Sequence, residues 1–108
     1  MASRQSTVDF VLEQCAAAGT VRARKMFGEY GIYCGAKFVA VVCDDQLFVK
    51  PTAGGRAAAS NCPEGVPFPG AKPWLLVPGD RCEEREWLAA LIRATADELP
   101  LPSPRKRR

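Results

Sequence analysis

Histidine is absent from this sequence of 108 residues. Histidine is the general base of Ser-His-Asp and Cys-His active sites and the commonest side-chain metal ligand, so its absence excludes those classes. Cys-x-x-Cys pairs are also missing, and a cysteine-only zinc site therefore lacks its paired ligands. The sequence indicates a non-enzymatic protein that carries no metal and no other cofactor.

A membrane-spanning segment and a secretion signal are missing as well. No stretch approaches the roughly 18 consecutive apolar residues that a spanning helix requires. Residues 1–20 lack the basic start and apolar segment of a signal peptide. We therefore expect a cytoplasmic protein with no membrane association.

Five cysteines are present, an odd number at irregular spacing. Without a secretion signal, this pattern predicts reduced thiols. Cys82 is the one candidate for an activated thiol, because we expect it in the first turn of the last helix, where the helix dipole lowers a thiol pKa. Three nearby carboxylates would raise that pKa instead. A small cysteine-dependent enzyme or redox sensor is therefore the alternative function and not the favoured one.

Net charge is small once the last four residues are set aside. The 15 Lys and Arg residues then fall to 11, against 12 Asp and Glu. The remaining chain lacks the positive excess of a nucleic-acid-binding domain and shows no run of aromatics interleaved with Lys or Arg. We expect any nucleic-acid binding to be weak, non-specific and carried by the tail residues Arg105, Lys106, Arg107 and Arg108.

The stretch from residue 24 to residue 50 is rich in apolar and aromatic residues and predicts three antiparallel strands. Gly35-Ala36 and Asp44-Asp45 are the turn signals that divide it. Two-residue turns at both places would pair Tyr33 with Phe38 and Val42 with Leu47. Pro51 ends the third strand, because proline cannot donate to a strand ladder.

Strict alternation from those turns predicts which side chains share a face of the sheet. Both faces come out apolar, whereas a sheet with one solvated face alternates apolar and polar residues. The helices can cover one face only, so the other predicts a homodimer contact or a surface for a protein partner. An error of one residue in the register is one competing explanation. The other is that the short middle helix and the Pro-rich segment fold over that face. One face carries Tyr33, Phe38, Ala40, Val42, Leu47 and Val49, and the candidate binding face carries Tyr30, Ile32, Val39, Val41 and Phe48.

Arg22, Arg24 and Lys25 form a small basic cluster just before these strands. The simpler interpretation is a solvated loop or helix turn that leads into the sheet. The more specific interpretation is a binding patch for an anion or a protein partner. On that basis we include the three residues among the candidate binding residues.

The remaining elements complete a two-layer α+β domain in the order α-β-β-β-α-β-β-α, with a mostly antiparallel sheet packed on helices. Ser6 to Asp9 resembles a capping box that opens the first helix, which continues through Ala18 and ends at Gly19. A short helix is expected over residues 56–61, followed by two edge strands, one over residues 66–69 and one over residues 74–77. Asp80 caps the last helix. Residues 1–100 are the predicted domain, and residues 101–108 a disordered, Pro-rich basic tail.

The basic cluster and the strands resemble the core of the TfoX/Sxy N-terminal domain. The resemblance rests on Arg24-x-Met26-Phe27-Gly28-x-x-Gly31-x-Tyr33, followed by Phe38-x-x-Val41 and Asp44-Asp45-x-Leu47-Phe48-x-Lys50. Met26, Phe27, Gly28 and Gly31 are expected to be a structural motif.

That resemblance implies a regulator of competence-gene transcription that acts through protein contacts. The implied partner is the transcription machinery or a regulator like the cyclic-AMP receptor protein. Full-length members carry a second, helical C-terminal domain, and we expect this chain to be a stand-alone N-terminal domain.

Overall fold

Six strands and four helices form an α+β domain in the computed structural model, which describes residues 3–26 and 28–100. The strands make one antiparallel sheet in the order β1-β2-β3-β4-β6-β5. The predicted fold class and succession of elements are confirmed, and a first strand, a 3₁₀ turn and a short third helix add to them. The helices are α1 (Gln5–Gln14), α2 (Ala53–Ala58), α3 (Gly79–Cys82) and α4 (Arg85–Glu98), with the 3₁₀ turn at Ala16–Ala18. The strands are β1 (Val21–Met26), β2 (Glu29–Cys34), β3 (Lys37–Cys43), β4 (Gln46–Val49), β5 (Glu64–Gly65) and β6 (Trp74–Val77).

Helix α1 is anchored at its start by a turn of the sheet. The predicted capping box is wrong, because Arg4 occupies the cap position and makes no side-chain cap bond. Instead the Asp45 carboxylate accepts hydrogen bonds from the Arg4 backbone N–H at 2.8 Å and from the Thr7 hydroxyl at 3.0 Å. Asp44 and Asp45 both have left-handed backbone angles, as a two-residue hairpin turn requires. The turn predicted there is confirmed.

The three predicted strands are β2, β3 and β4, and both predicted pairs are present. Tyr33 lies opposite Phe38, and Val42 lies opposite Leu47. The predicted division into faces is wrong, because the register of β2 against β3 shifts between Ile32 and Tyr33. Val39 is the extra residue of a bulge, and one extra residue reverses the alternation on either side of it.

The basic segment before these strands is itself a strand. Residues Val21–Met26 pair with β2 along their whole length, with Arg24 opposite Gly31. The simpler interpretation as a loop or helix turn is therefore wrong, although Arg22, Arg24 and Lys25 are exposed as it required. β1 is an edge strand, and charged side chains on an edge strand discourage pairing with other chains.

The second half of the chain differs from the prediction at four points. The edge strand predicted over residues 66–69 is wrong, because the paired residues there are Glu64–Gly65, opposite Leu75 and Trp74. The short helix comes three residues earlier and starts at Ala53, capped by the Thr52 hydroxyl. β6 is an interior strand between β4 and β5, because its flanking prolines, Pro73 and Pro78, fall outside the paired residues. Asp80 does not cap the last helix, which begins at Arg85. Glu84 has non-helical backbone angles and separates α3, which contains Asp80, from α4.

Helices α1 and α4 pack on one side of the sheet, which we call the inner face. The core there combines helix residues with strand residues. Its fully buried members include Val8, Leu88, Leu91 and Ile92 from the helices and Ile32 from β2. Within the described ranges, no helix is long and apolar enough to cross a membrane. The inner-face strand residues are Tyr30, Ile32, Val39, Ala40, Val42, Leu47, Val49, Leu75 and Val77.

Candidate binding surfaces

The side of the sheet away from α1 and α4, the outer face, has its own small cluster of apolar residues. Val41, Cys43, Phe48 and Trp74 are buried there, and Phe38 and Leu76 pack partly buried against them. Pro67 of the Pro-rich segment is buried, and the neighbouring Phe68 ring lies 6.3 Å from the Trp74 ring, measured between centroids. The Pro-rich segment thus covers part of the outer face, as one half of the competing explanation required. The other half is wrong, because the short helix α2 packs on α4 instead.

Aromatic rings cross the outer face in a continuous series, the aromatic row, made of Tyr33, Phe38, Trp74 and Phe68. Tyr33 and Phe38 are separated by 5.2 Å between ring centroids, and Phe38 and Trp74 by 5.9 Å. These contacts lie within the range of favourable aromatic pairs. The rings come from β2, β3, β6 and the segment between β5 and β6.

Cationic side chains lie against two of these rings. The Arg22 guanidinium carbon is 5.1 Å from the centre of the Tyr33 ring, and that of Arg24 is 6.0 Å from it. The Lys50 ammonium nitrogen lies 4.7 Å from the centre of the Phe38 ring, and burial lowers the pKa of this lysine. The sequence-based statement that the body has no aromatics interleaved with Lys or Arg is therefore wrong for the folded chain.

The candidate binding residues from the sequence separate into two groups. Tyr30, Ile32 and Val39 lie in the inner core beneath the helices, so the set predicted to share one uncovered face is divided. Val41 and Phe48 lie on the outer face and are buried. This placement does not test the predicted role of Val41 and Phe48 in binding, which stays a prediction. Arg22 and Arg24 project to the outer face, whereas Lys25 lies over the Tyr30 ring at 5.9 Å on the opposite side of β1.

A second surface lies at the other end of the sheet, where α1 meets β4 and β6. Phe10 projects from α1 with 39% of its surface exposed. Beside it is a groove of about 370 Å³, which we call the Phe10 groove. None of the candidate binding residues from the sequence lines this groove, although it borders the predicted Asp44-Asp45 turn and includes Leu47 and Cys82. Nothing in the sequence analysis singled out Phe10. The groove is lined by Thr7, Phe10, Val11, Asp45, Gln46, Leu47, Pro63, Leu76, Val77, Pro78, Gly79 and Cys82.

The model of the TfoX N-terminal domain family matches residues 13–99 of the chain. The chain belongs to the TfoX N-terminal domain family. A similar protein from Spirochaeta aurantia is 42% identical over 106 residues, which cover 98% of this chain and 91% of the relative. That relative is described as an uncharacterized 12.7 kDa protein in the trpE 5' region.

The glycines of the motif have separate structural roles in this TfoX N-terminal domain. Gly28 has φ of +80°, which side-chain-bearing residues rarely adopt. Gly31 has no positive φ, and its role is close packing. A Cβ at this position would lie 2.8 Å from Met26 Cε and 3.0 Å from Phe38 Cε1. Phe27 and the tail residues Arg105, Lys106, Arg107 and Arg108 lie outside the described residues.

All five cysteines of this TfoX N-terminal domain are free thiols. Burial raises the pKa of Cys15 to about 12, with Cys82 and Cys34 adding to the effect. Burial likewise raises the pKa of Cys82 to about 11, with smaller contributions from Cys62, Asp80 and Glu83. Cys82 ends α3 and does not lie in the first turn of the last helix.

Burial also raises the pKa of Cys43, to about 11, and that of Cys62. Raised pKa values leave these thiols protonated and weakly nucleophilic near neutral pH. Across residues 3–26 and 28–100, no group of three Cys, Asp or Glu side chains is placed to hold a metal ion.

Proposed function

We propose that this protein is a non-enzymatic protein-interaction module that regulates transcription through contacts with a protein partner. Membership of the TfoX N-terminal domain family supports transcription as the process, because the family resemblance implies competence-gene regulation together with a regulator such as the cyclic-AMP receptor protein. The proposed partner is such a regulator or the transcription machinery.

The observation that carries this proposal is the exposed Phe10 beside the Phe10 groove. Aromatic residues, Phe among them, are enriched at the centres of protein interfaces, and binding hot spots lie where such side chains meet well-packed pockets. Val11, Leu47 and Val77 line the groove with apolar atoms, while Asp45 and Gln46 place polar groups on it. An apolar centre with polar groups at its margin resembles a protein interface.

The alternative, a cysteine-dependent enzyme or redox sensor, has less support. An activated thiol needs a lowered pKa from a cation, a helix N-terminus or a general base. Cys82 lines the Phe10 groove, but burial and two carboxylates act on it in the opposite direction. The groove is thus better suited to apolar contacts than to thiol chemistry.

Capture from cytoplasmic extract with the immobilised full-length protein tests the proposal. The two variants are Phe10→Ser and a control, Val66→Ser, which removes an apolar side chain that is 54% exposed and lies outside the groove. We expect mass spectrometry to find a transcription protein retained by the wild type and by Val66→Ser, and lost with Phe10→Ser. Equal retention by both variants would contradict the proposed surface.

A further inference from the structure

We propose that the outer face binds single-stranded nucleic acid, with bases stacked on the aromatic row and phosphates held by Arg22, Arg24 and Lys50. This inference is independent of the protein contact proposed at the Phe10 groove, because none of the rings or cations it uses lines that groove.

The aromatic row has the composition of a base-stacking platform. Proteins that bind single strands present aromatic side chains on a sheet or barrel surface, and each stacked base adds substantially to affinity, whatever its identity. Tyr33 and Phe38 are partly exposed, and Phe68 is 43% exposed. Trp74 is largely buried and supports the rings on either side of it, with centroid distances of 5.9 and 6.3 Å.

Arg22, Arg24 and Lys50 form no ion pair with a carboxylate within residues 3–26 and 28–100. The ion pairs among the described residues use four other arginines, and none of the four lies over a ring of the aromatic row. They are Arg4, Arg56, Arg81 and Arg93. Arg22, Arg24 and Lys50 contact aromatic rings instead. Their charges are therefore available for phosphates, and a strand that stacks on Tyr33 and Phe38 would pass directly beside all three.

A depression next to the row completes the chemistry. A cavity of about 360 Å³ is bounded by Tyr33, Phe38, Lys37 and Lys50, with Leu99 and Pro100 on the far side. Lys37 Nζ donates a hydrogen bond to the Ala96 carbonyl at 2.8 Å, which fixes one wall. A planar ring and an anion can be accommodated together here, and a nucleotide combines the two.

Single strands fit this surface better than the other anionic partners. In a duplex the bases are stacked on one another and their planes are closed to protein rings. An acidic peptide would use the cations but would leave the aromatic row without a function. The small net charge of the whole chain does not oppose the proposal, because much of the acidic charge lies on the helices and at the Asp44-Asp45 turn.

Fluorescence anisotropy with labelled oligonucleotides of about ten nucleotides tests the proposal, since binding sites on comparable sheet surfaces span roughly 4–16 nucleotides. The probes are oligo(dT), oligo(rU) and a duplex of the same length. Every protein is the full chain with Arg105, Lys106, Arg107 and Arg108 replaced by Ser, which removes the tail's non-specific contribution. We expect salt-sensitive binding to one or both single strands, and the stronger of the two identifies DNA or RNA as the preferred chemistry.

Three substitutions separate the outer face from general electrostatics. Arg22→Ala should weaken binding and reduce the slope of log K against log salt by about 0.7, the value for one phosphate contact on a single strand. Lys25→Ala is its matched control, because it removes the same charge from the same strand on the opposite side. Phe38→Leu keeps an apolar side chain but removes a ring, and should weaken binding by roughly tenfold or more.

Circular dichroism and thermal melting confirm that each variant is folded before its affinity is interpreted. Absence of binding to both single strands by the folded tail-substituted protein would overturn the proposal. So would tighter binding to the duplex, or equal losses from Arg22→Ala and Lys25→Ala, because either result would indicate charge attraction without stacking.

Discussion

Gly31 lies on the outer face where two side chains approach the backbone closely. The end of the Met26 side chain and the edge of the Phe38 ring occupy the space that a Cβ would need, at 2.8 and 3.0 Å. Gly28 lies three residues earlier and has open space around it, but its φ is +80°. Two glycines of one motif are thus required for different physical reasons, one for packing and one for backbone conformation.

Gly31→Ala is expected to lower the free energy of unfolding by about 1 kcal/mol, because the added Cβ displaces the flexible end of Met26 and presses on the Phe38 ring. Shortening the neighbour with Met26→Ala should recover part of that loss in the double variant. Gly28→Ala is the matched control: it costs about 1–2 kcal/mol through backbone strain, and Met26→Ala should not relieve it. Urea unfolding of all five variants measures the coupling, and equal behaviour of the two glycines would contradict this explanation.

Cys15 gives the clearest pH dependence at the residue scale. Its pKa is about 12 in the folded chain against an ordinary value of 9.0, chiefly because it is buried. Well below pH 9.0 the thiol is protonated in both the folded and the unfolded state, so it does not lower the free energy of unfolding. As pH rises towards 12, only the unfolded thiol ionises, so stability falls by at most about 1.4 kcal/mol per pH unit from this group. Urea unfolding from pH 8 to 11 should show a shallower decline for Cys15→Ala.

The thiols also decide between the two candidate functions. We expect thiol-reagent labelling of the native protein across pH to give each of four cysteines an apparent pKa above the ordinary value of 9.0. These are Cys15, Cys43, Cys62 and Cys82. A thiol among these that titrates near neutral pH would support the redox alternative.

Helix α2 docks on α4 without a large apolar side chain of its own. Gly55 is buried so closely that an added Cβ would lie 3.0 Å from the Thr95 hydroxyl. The Trp87 indole N–H donates to the Ala58 carbonyl at 3.0 Å, and the Arg81 guanidinium carbon lies 3.8 Å from the centre of the Trp87 ring. Small residues on α2 and one large residue on α4 together make the contact.

Trp87→Phe should destabilise the protein by about 1 kcal/mol, because it removes the donor that the Ala58 carbonyl accepts from. The loss should be local, so hydrogen exchange of the α2 amides should speed up while that of the α1 amides is unchanged. An equal change in both helices would mean that Trp87 supports the whole core and not the docking of α2.

Strands and turns were predictable from local pattern, whereas the division into faces was not. Asp44-Asp45 and Gly35-Ala36 mark the turns, and the pairs Tyr33–Phe38 and Val42–Leu47 follow from them. Val39 forms the bulge, and nothing in a run of apolar residues marks one of them as extra. Since the side-chain period is two, that single residue moves Tyr30 and Ile32 beneath the helices and places Val41 on the outer face.

At the scale of the whole molecule, the aromatic row shows why the candidate surfaces were only partly predicted. Tyr33 and Phe38 are close in sequence, but Phe68 and Trp74 come from a segment 30 or more residues further along the chain. The strand order puts β6 beside β4, and this brings the two parts together. Arg22 and Arg24 were singled out for their charge, but their position over Tyr33 depends on the pairing of β1 with β2.

Self-association stays a prediction, but it needs a different surface from the apolar sheet face that the sequence predicted. The apolar set expected on one uncovered face is divided, so a twofold dimer would have to use exposed apolar side chains. Among the described residues the large ones are Phe10, Val66 and Phe68. Light scattering during size exclusion at micromolar concentration measures the mass. A dimer confirms self-association, and a monomer that persists on concentration refutes it.

Transcript measurement in the native host tests the central claim most directly, namely that this TfoX N-terminal domain regulates transcription through the Phe10 groove. Four strains carry the wild-type gene, a deletion, Phe10→Ser or Val66→Ser at the native locus, with protein levels matched by immunoblot. We predict that Phe10→Ser reproduces the transcript changes of the deletion, while Val66→Ser matches the wild type. A deletion that alters no transcripts, or a Phe10→Ser strain identical to wild type, would contradict the claim.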